Sequence, residues 1–273
     1  MQRWRCGARR TWLGLLPIAW SCAISQKQEI QLGGEYASQI NTQLPIVRDA
    51  EVVRAIATLG NSLAAVADMR GLTWHFAVVD SKEVNAFAVP GGWVYVNRGL
   101  IARAQSMDEL AGVLGHEIGH VTRRHSVQQM QKSQQVGGGL LALCTLTKVC
   151  NTGAAQATID LGGTALFARF SRQDEAEADE DGVRTSVRAG VNPEGIPRMF
   201  RHLLAERRSD PGAVDAFFAT HPLEEDRITA TSRQIAAYAP SQLKGLRRDS
   251  DAFQQLKRRL ASLPPSPTPR TTK

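Results

Sequence analysis

Cysteine is scarce here, long apolar runs are missing, and no repeat of solenoid or propeller period is visible along the 273 residues. Four cysteines cannot build a disulfide scaffold in a chain of this length. Cys6 and Cys22 lie in the N-terminal segment, which leaves Cys144 and Cys150. Their Cys-x5-Cys spacing is not a usual zinc pairing, so two readings stand: a disulfide closing a small loop after export, or two buried thiols. A transmembrane helix needs about 20 apolar residues. The uncharged stretch from Thr11 to Ser25 runs to roughly 15 with Pro17 inside it, and the one from Ser133 to Thr147 opens on Gly137, Gly138 and Gly139. Residues 133–161 therefore read as a packed helix or a lid over a cleft.

The basic charge is unevenly placed. Of the formal +7, the arginines of residues 1–25 supply +4 and residues 244–273 supply +6, so residues 26–243 carry −3. A mildly acidic body without basic-aromatic interleaving removes the case for nucleic acid. Arg3, Arg5, Arg9 and Arg10 ahead of the apolar stretch form the basic and hydrophobic regions of an export signal, and Cys22 is a candidate lipidation site. The expectation is an exported protein of the bacterial periplasm, with Cys22 a candidate lipid anchor to the envelope. Residues 263–273 are rich in proline and poor in apolar groups, which reads as a disordered tail. The expected organisation is a signal over 1–25, one domain over 26–262, and that tail.

Between the ends, residues 29–44 and 50–67 show helical spacing of apolar groups, the second through Val52, Val53, Ile56, Leu59, Leu63 and Val66. Residues 73–79, 85–89 and 93–96 read as strands, with Gly91-Gly92 as the hairpin link. From Asn97 to about Tyr238 the pattern is helical, giving an α+β domain, mostly helical, with its strands early. Ser106 with Glu109 predicts a capping box and a helix from about residue 107. Ser171 with Asp174 predicts another, closing at Gly190, and Asn192-Pro193 predicts the start of a third.

Residues 116–120 read His-Glu-Ile-Gly-His. Residues four apart share a helical face, so His116 and His120 can turn ring nitrogens to one ion, while Glu117 reaches a water beside it. A catalytic zinc needs a third protein ligand and an open fourth position. Glu175 and Asp179 share a face of the helix opened by Ser171, so Glu175 is the candidate ligand and Asp179 the acceptor for a ligand histidine. His75, His125 and His202 read as packing or surface residues, His125 falling off the zinc face.

Four motifs together resemble the zinc metallopeptidases of family forty-eight, which include HtpX, the type I CAAX prenyl proteases, the mitochondrial OMA proteases and the periplasmic BepA type. They are NAFAVPGG at 85–92 with Val94-Tyr95-Val96 and Gly99-Leu100, HEIGH at 116–120, SRQDEAEAD at 171–179, and Thr220-His221-Pro222 with Asp226-Arg227-Ile228. Gln28-Glu29-Ile30 and Gly33 look like the soluble exported branch. The resemblance implies a gluzincin-like fold with one zinc ion on His116, His120 and Glu175, and Glu117 as general base. It implies that Trp93, Val94, Tyr95 and Val96 form an edge strand to which an extended polypeptide substrate adds. His221 then either fills the fourth zinc position or steadies the oxyanion, a role for which Arg172 is the other candidate; the residues alone also allow a plain helix-capping histidine. The function implied is a zinc metalloendopeptidase acting on exported or misfolded envelope proteins. The alternative is a latent, chaperone-like factor for outer-membrane protein assembly with His221 plugging the site.

Overall fold

A computed structural model describes residues 24–132, 169–222 and 225–267. Residues 1–23 of the expected signal with Cys22, then Cys144, Cys150 and the whole 133–161 stretch, and the last residues of the expected tail lie outside the described residues.

Helix α1 (Gln26–Gln43) opens at Ser25, whose hydroxyl accepts from the amide of Gln28. Helix α2 (Ala50–Ala67) opens at Asp49, whose carboxylate accepts from Glu51 and Val52. Val52, Ile56 and Leu63 are fully buried, as the helical spacing predicts, while Val53 stays on the exposed side. Strands β1 (His75–Val79), β2 (Ala86–Val89) and β3 (Trp93–Asn97) form one sheet. Its order is β1-β3-β2, with β1 parallel and β2 antiparallel to β3. Gly91 and Gly92 make the tight link between β2 and β3 at φ 81° and 102°, a region open to glycine and costly for other residues.

This order corrects one expectation. Trp93, Val94, Tyr95 and Val96 lie on the central strand, hydrogen-bonded on both sides, and no peptide can add there. The strand after the hairpin inserts between β1 and β2, because β1 returns to it in parallel across the 80–92 connection. The outermost strand on the side of the HEIGH helix is β2, which packs against that helix.

The helices that follow with both ends among the described residues are α3 (Arg98–Arg103), α4 (Met107–Thr122), α5 (Arg172–Arg188), α6 (Gly195–Ser209), α7 (Pro211–Thr220), α8 (Glu225–Ala236), α9 (Pro240–Leu243) and α10 (Asp251–Ser262), and residues 125–132 are helical as well. The domain is mostly helical with a small sheet, the α+β class expected. Helix α4 is the centre of the fold: it is buried from Met107 to Val121 and packs on α2, α5 and α6.

The start of α4 differs from the predicted capping box. The Ser106 hydroxyl makes no cap bond and donates instead to Asp108, while the Glu109 carboxylate accepts from the amide of Gln105 at 2.8 Å. The first amides of α4 go to a distant segment, Met107 to the Asp249 carboxylate at 3.1 Å and Asp108 to the Arg248 carbonyl at 3.0 Å. A buried helix end takes tertiary partners in place of its local cap. The Ser171–Asp174 box does form, and Gly190 follows the end of α5 at φ 71°. Helix α6 starts two residues later than Asn192-Pro193 suggests: Asn192 turns the chain by accepting from the amide of Glu194, and Gly195 enters where a β-carbon would lie 2.2 Å from the Asp108 carbonyl.

Helices α4 and α5 approach closely because the facing positions are small. A β-carbon on Gly115 would lie 3.3 Å from the Cα of Gly182, and one on Gly119 would lie 3.2 Å from the Cα of Ala178. That approach lets a side chain as short as glutamate span from α5 to the histidines of α4.

Candidate metal centre

His116, His120, Glu175 and His221 offer ligand atoms that all lie within 4.8 Å of one another, and all four side chains are buried. The Nε2 atoms of His116 and His120 are 3.0 Å apart. The carboxylate of Glu175 sits 3.4 Å from His120 Nε2 and 3.6 Å from His116 Nε2. His221, the residue that ends α7, brings Nδ1 to 3.0 Å from Glu175 Oε1 and 3.4 Å from His116 Nε2.

Three of the four members, His116, Glu175 and His120, are oriented from behind. His116 Nδ1 is 2.9 Å from Asp179 Oδ1, so Asp179 accepts the proton that leaves Nε2 with its lone pair towards the cluster. Arg227 from α8 donates to both oxygens of Asp179 and reaches Glu175 with its third nitrogen at 2.6 Å. The far nitrogen of His120 meets Nδ1 of His125 at 2.9 Å, and the ring of Phe170 stacks on His120 at 3.9 Å.

Charge in this dry environment follows from the neighbours. Burial raises the Glu117 carboxyl above its ordinary value against the pull of His221 and His116. Burial drives His120 well below the ordinary histidine value, which favours the neutral ring a metal needs. For Glu175 burial works upward, but His221, with hydrogen bonds from His120 and His221, holds it well below the usual carboxylate range. Asp179 is likewise lowered, burial being outweighed by Arg227. His221 is raised despite burial because Glu175 and Glu117 flank it.

The donor set suits a small divalent ion. Neighbouring ligands of tetrahedral zinc with bonds of about 2.0–2.1 Å stand roughly 3.3–3.5 Å apart. The separations here run from 3.0 Å between the histidines to 3.6 Å between His116 and Glu175. Two imidazoles that can be neutral and one ionised carboxylate also match zinc's preference for nitrogen and oxygen.

The model of peptidase family M48 matches residues 51–235, from α2 to α8. The chain belongs to that family. Its relatives include the β-barrel assembly-enhancing protease of Escherichia coli K12, 31% identical over 211 residues that make up 75% of this chain and 43% of that protein. The mitochondrial metalloendopeptidase OMA1 of Schizosaccharomyces pombe is 30% identical over 202 residues, 71% of this chain and 54% of that one. The metalloprotease YcaL of Escherichia coli K12 is 28% identical over 183 residues, 65% and 70% of the two chains. The chain spans less than half the length of the β-barrel assembly-enhancing protease it matches.

Within this M48 domain the structure brings His116, Glu117, His120, Glu175, Asp179 and His221 into one cluster. Arg172 is not in it: it stands exposed at the first position of α5. The guanidinium in the cluster is that of Arg227, which lay in the quoted Asp226-Arg227-Ile228 motif without an assigned role. His125, expected to fall off the zinc face, and Phe170, which had no assigned role, both touch His120. Helical spacing puts His125 off the face of His120, but the chain reverses after α4 and brings it back.

Proposed function

We propose that this chain is a zinc-dependent metalloendopeptidase whose site is described in a closed, latent arrangement. The observation that carries the reading is Glu117. Its side chain is fully buried and neither carboxylate oxygen has a hydrogen-bond partner. A buried carboxylate without a hydrogen bond costs stability, and a purely structural metal site has no use for one. A general base beside a reacting carbonyl does.

In this reading His116, His120 and Glu175 hold zinc, and Asp179 fixes the tautomer of His116. When bound, zinc polarises a peptide carbonyl and lowers the pKa of water toward neutrality. Glu117 accepts the proton from the attacking water at a carboxylate oxygen and returns it to the departing amine. Burial raises its proton affinity toward what both halves of that task need. Strand β2, outermost beside α4, is the strand to which an extended substrate adds.

His221 supports latency. Its Nδ1 is the fourth donor and its Nε2 lies 3.4 Å from Glu117 Oε1, so it stands where a water and a carbonyl must enter. The same observation favours a second reading, a factor for outer-membrane protein assembly that keeps its proteolysis in reserve. Export to the bacterial periplasm and action on misfolded envelope proteins are the context proposed for either.

Zinc content and casein cleavage of wild type and Glu117→Gln test the proposal. The expected result is about one zinc per chain in both proteins, cleavage by wild type, and a loss of about 10²–10⁴ in rate for the variant. Cleavage by Glu117→Gln at the wild-type rate rules Glu117 out as the base.

A further inference from the structure

We infer that His125 is a positioning residue for His120, and that a clasp between buried Glu29 and half-buried Arg124 holds it in place. The inference rests on the zinc reading above and extends it to three residues outside the ligand set.

The nitrogens impose a direction. His120 Nδ1 and His125 Nδ1 stand 2.9 Å apart, and a hydrogen bond between two ring nitrogens requires one to carry the proton and the other a lone pair. His120 Nε2 faces His116 Nε2 and Glu175, so as a ligand it keeps its lone pair there and carries its proton on Nδ1. His125 must then accept at Nδ1 and carry its own proton on Nε2. That atom faces acceptors of α5, Glu177 Oε2 at 3.4 Å and Asp174 Oδ1 at 3.9 Å. The order of donation is His120 to His125 to the acidic start of α5. His125 is 2% exposed, and Phe170 covers a face of His120. A histidine serves here where His116 uses Asp179, and it adds no further negative charge beside Glu175.

The backbone shows how the chain delivers His125. Helix α4 ends at Thr122, and Arg124 has φ 62°, the one non-glycine residue in the left-handed region among the described residues. Such a conformation costs about 1–3 kcal/mol and persists only where the surroundings enforce it. Glu29, fully buried in the first turn of α1, accepts from Arg124 Nε at 2.7 Å and from Arg70 Nη2 at 2.6 Å. Arg124 also donates to the carbonyl of Ile24, and Arg70 to that of Val121 at 3.0 Å. The start of α1 is thereby tied to the turn that returns His125 to the site.

The test compares zinc affinity, by competition with a chromophoric chelator, for wild type, His125→Phe, His125→Asn and Glu29→Gln, with unfolding curves in parallel. Asparagine keeps an acceptor near the position of Nδ1 and phenylalanine does not. Loss of an outer partner of a ligand histidine weakens metal binding about 10–100-fold. His125→Phe is expected to show that loss, His125→Asn to recover most of it, and Glu29→Gln to weaken binding in the same direction. Two-bond nitrogen–proton NMR of the zinc-loaded wild type is expected to place the His125 proton on Nε2, a readout that needs no variant. Affinity of His125→Phe within about twofold of wild type, well short of the usual 10–100-fold loss, overturns the inference, as does a His125 proton on Nδ1. A wild type that binds no zinc overturns the zinc reading itself and this inference with it.

Discussion

Arg227 grips Asp179 through two parallel hydrogen bonds, 2.8 Å from Nε to Oδ2 and 2.7 Å from Nη2 to Oδ1. The fork is planar and its geometry matches a carboxylate, which an ammonium cannot reproduce. Through it α8 fixes Asp179, and Asp179 fixes the ring of His116. Arg227→Ala leaves Asp179 and Glu175 buried without their counter-charge, a loss expected at about 3–5 kcal/mol in chemical denaturation. Arg227→Lys keeps the charge and loses the fork. Its expected result is a folded protein with zinc binding weakened about tenfold or more, and unchanged zinc affinity assigns Arg227 a role in packing alone.

His221 distinguishes the latent site from an open one. Removing its ring takes away the fourth donor and clears the approach to Glu117. His221→Ala is expected to retain zinc on three ligands and to cleave casein faster than wild type. A lower kcat with zinc still bound points instead to an oxyanion role, where losing one donor costs about 10²–10³.

The small residues between α4 and α5 set the reach of Glu175. A β-carbon on Gly119 would lie 3.1 Å from the Asp181 side chain and 3.2 Å from the backbone of Ala178, and a backbone cannot step aside as a side-chain tip can. Gly119→Val is expected to cost about 1–3 kcal/mol of stability by overpacking. It should also weaken zinc binding, because the helices part where Glu175 spans them. Unfolding curves taken with and without zinc separate the two effects; full stability with full zinc affinity contradicts the close approach.

Much of this was legible because it is written in local chemistry. The Ser171–Asp174 box marks a helix start where the structure has it, and the spacing of His116, His120, Glu175 and Asp179 on two helices already fixes which faces must meet. The rest depends on how segments return to one another. His125 reaches His120 through a left-handed Arg124, a conformation that its residue type does not announce. Arg227 comes from a helix more than forty residues beyond Asp179, and no periodicity connects them. Strand order failed for the same reason: residues 93–96 read as a strand, yet their place between β1 and β2 is a property of the connection. The Ser106 box fits its motif and loses to a tertiary partner, Asp249.

That partner makes a prediction about acid. Burial pushes the Asp249 carboxyl up, but hydrogen bonds from Gln254 and from the amides of Ser250 and Met107 outweigh it and hold it below the ordinary value. A carboxyl with a lower pKa folded than unfolded stabilises the protein above its unfolded value of about 3.9, and that contribution fades as pH falls through the folded value. Asp249→Ala removes the outer cap of α4 and is expected to cost about 1 kcal/mol at neutral pH, the usual worth of such a cap. Asp249→Asn keeps an acceptor for the amide of Met107 and is expected to cost less, since asparagine caps about as well as aspartate. The decisive comparison is urea unfolding of wild type and Asp249→Ala at neutral pH and again below the folded pKa. The gap should narrow in acid, where wild type has lost its charge and keeps only a neutral carboxyl as acceptor. A gap that stays constant with pH means the Asp249 carboxylate does not hold the start of α4.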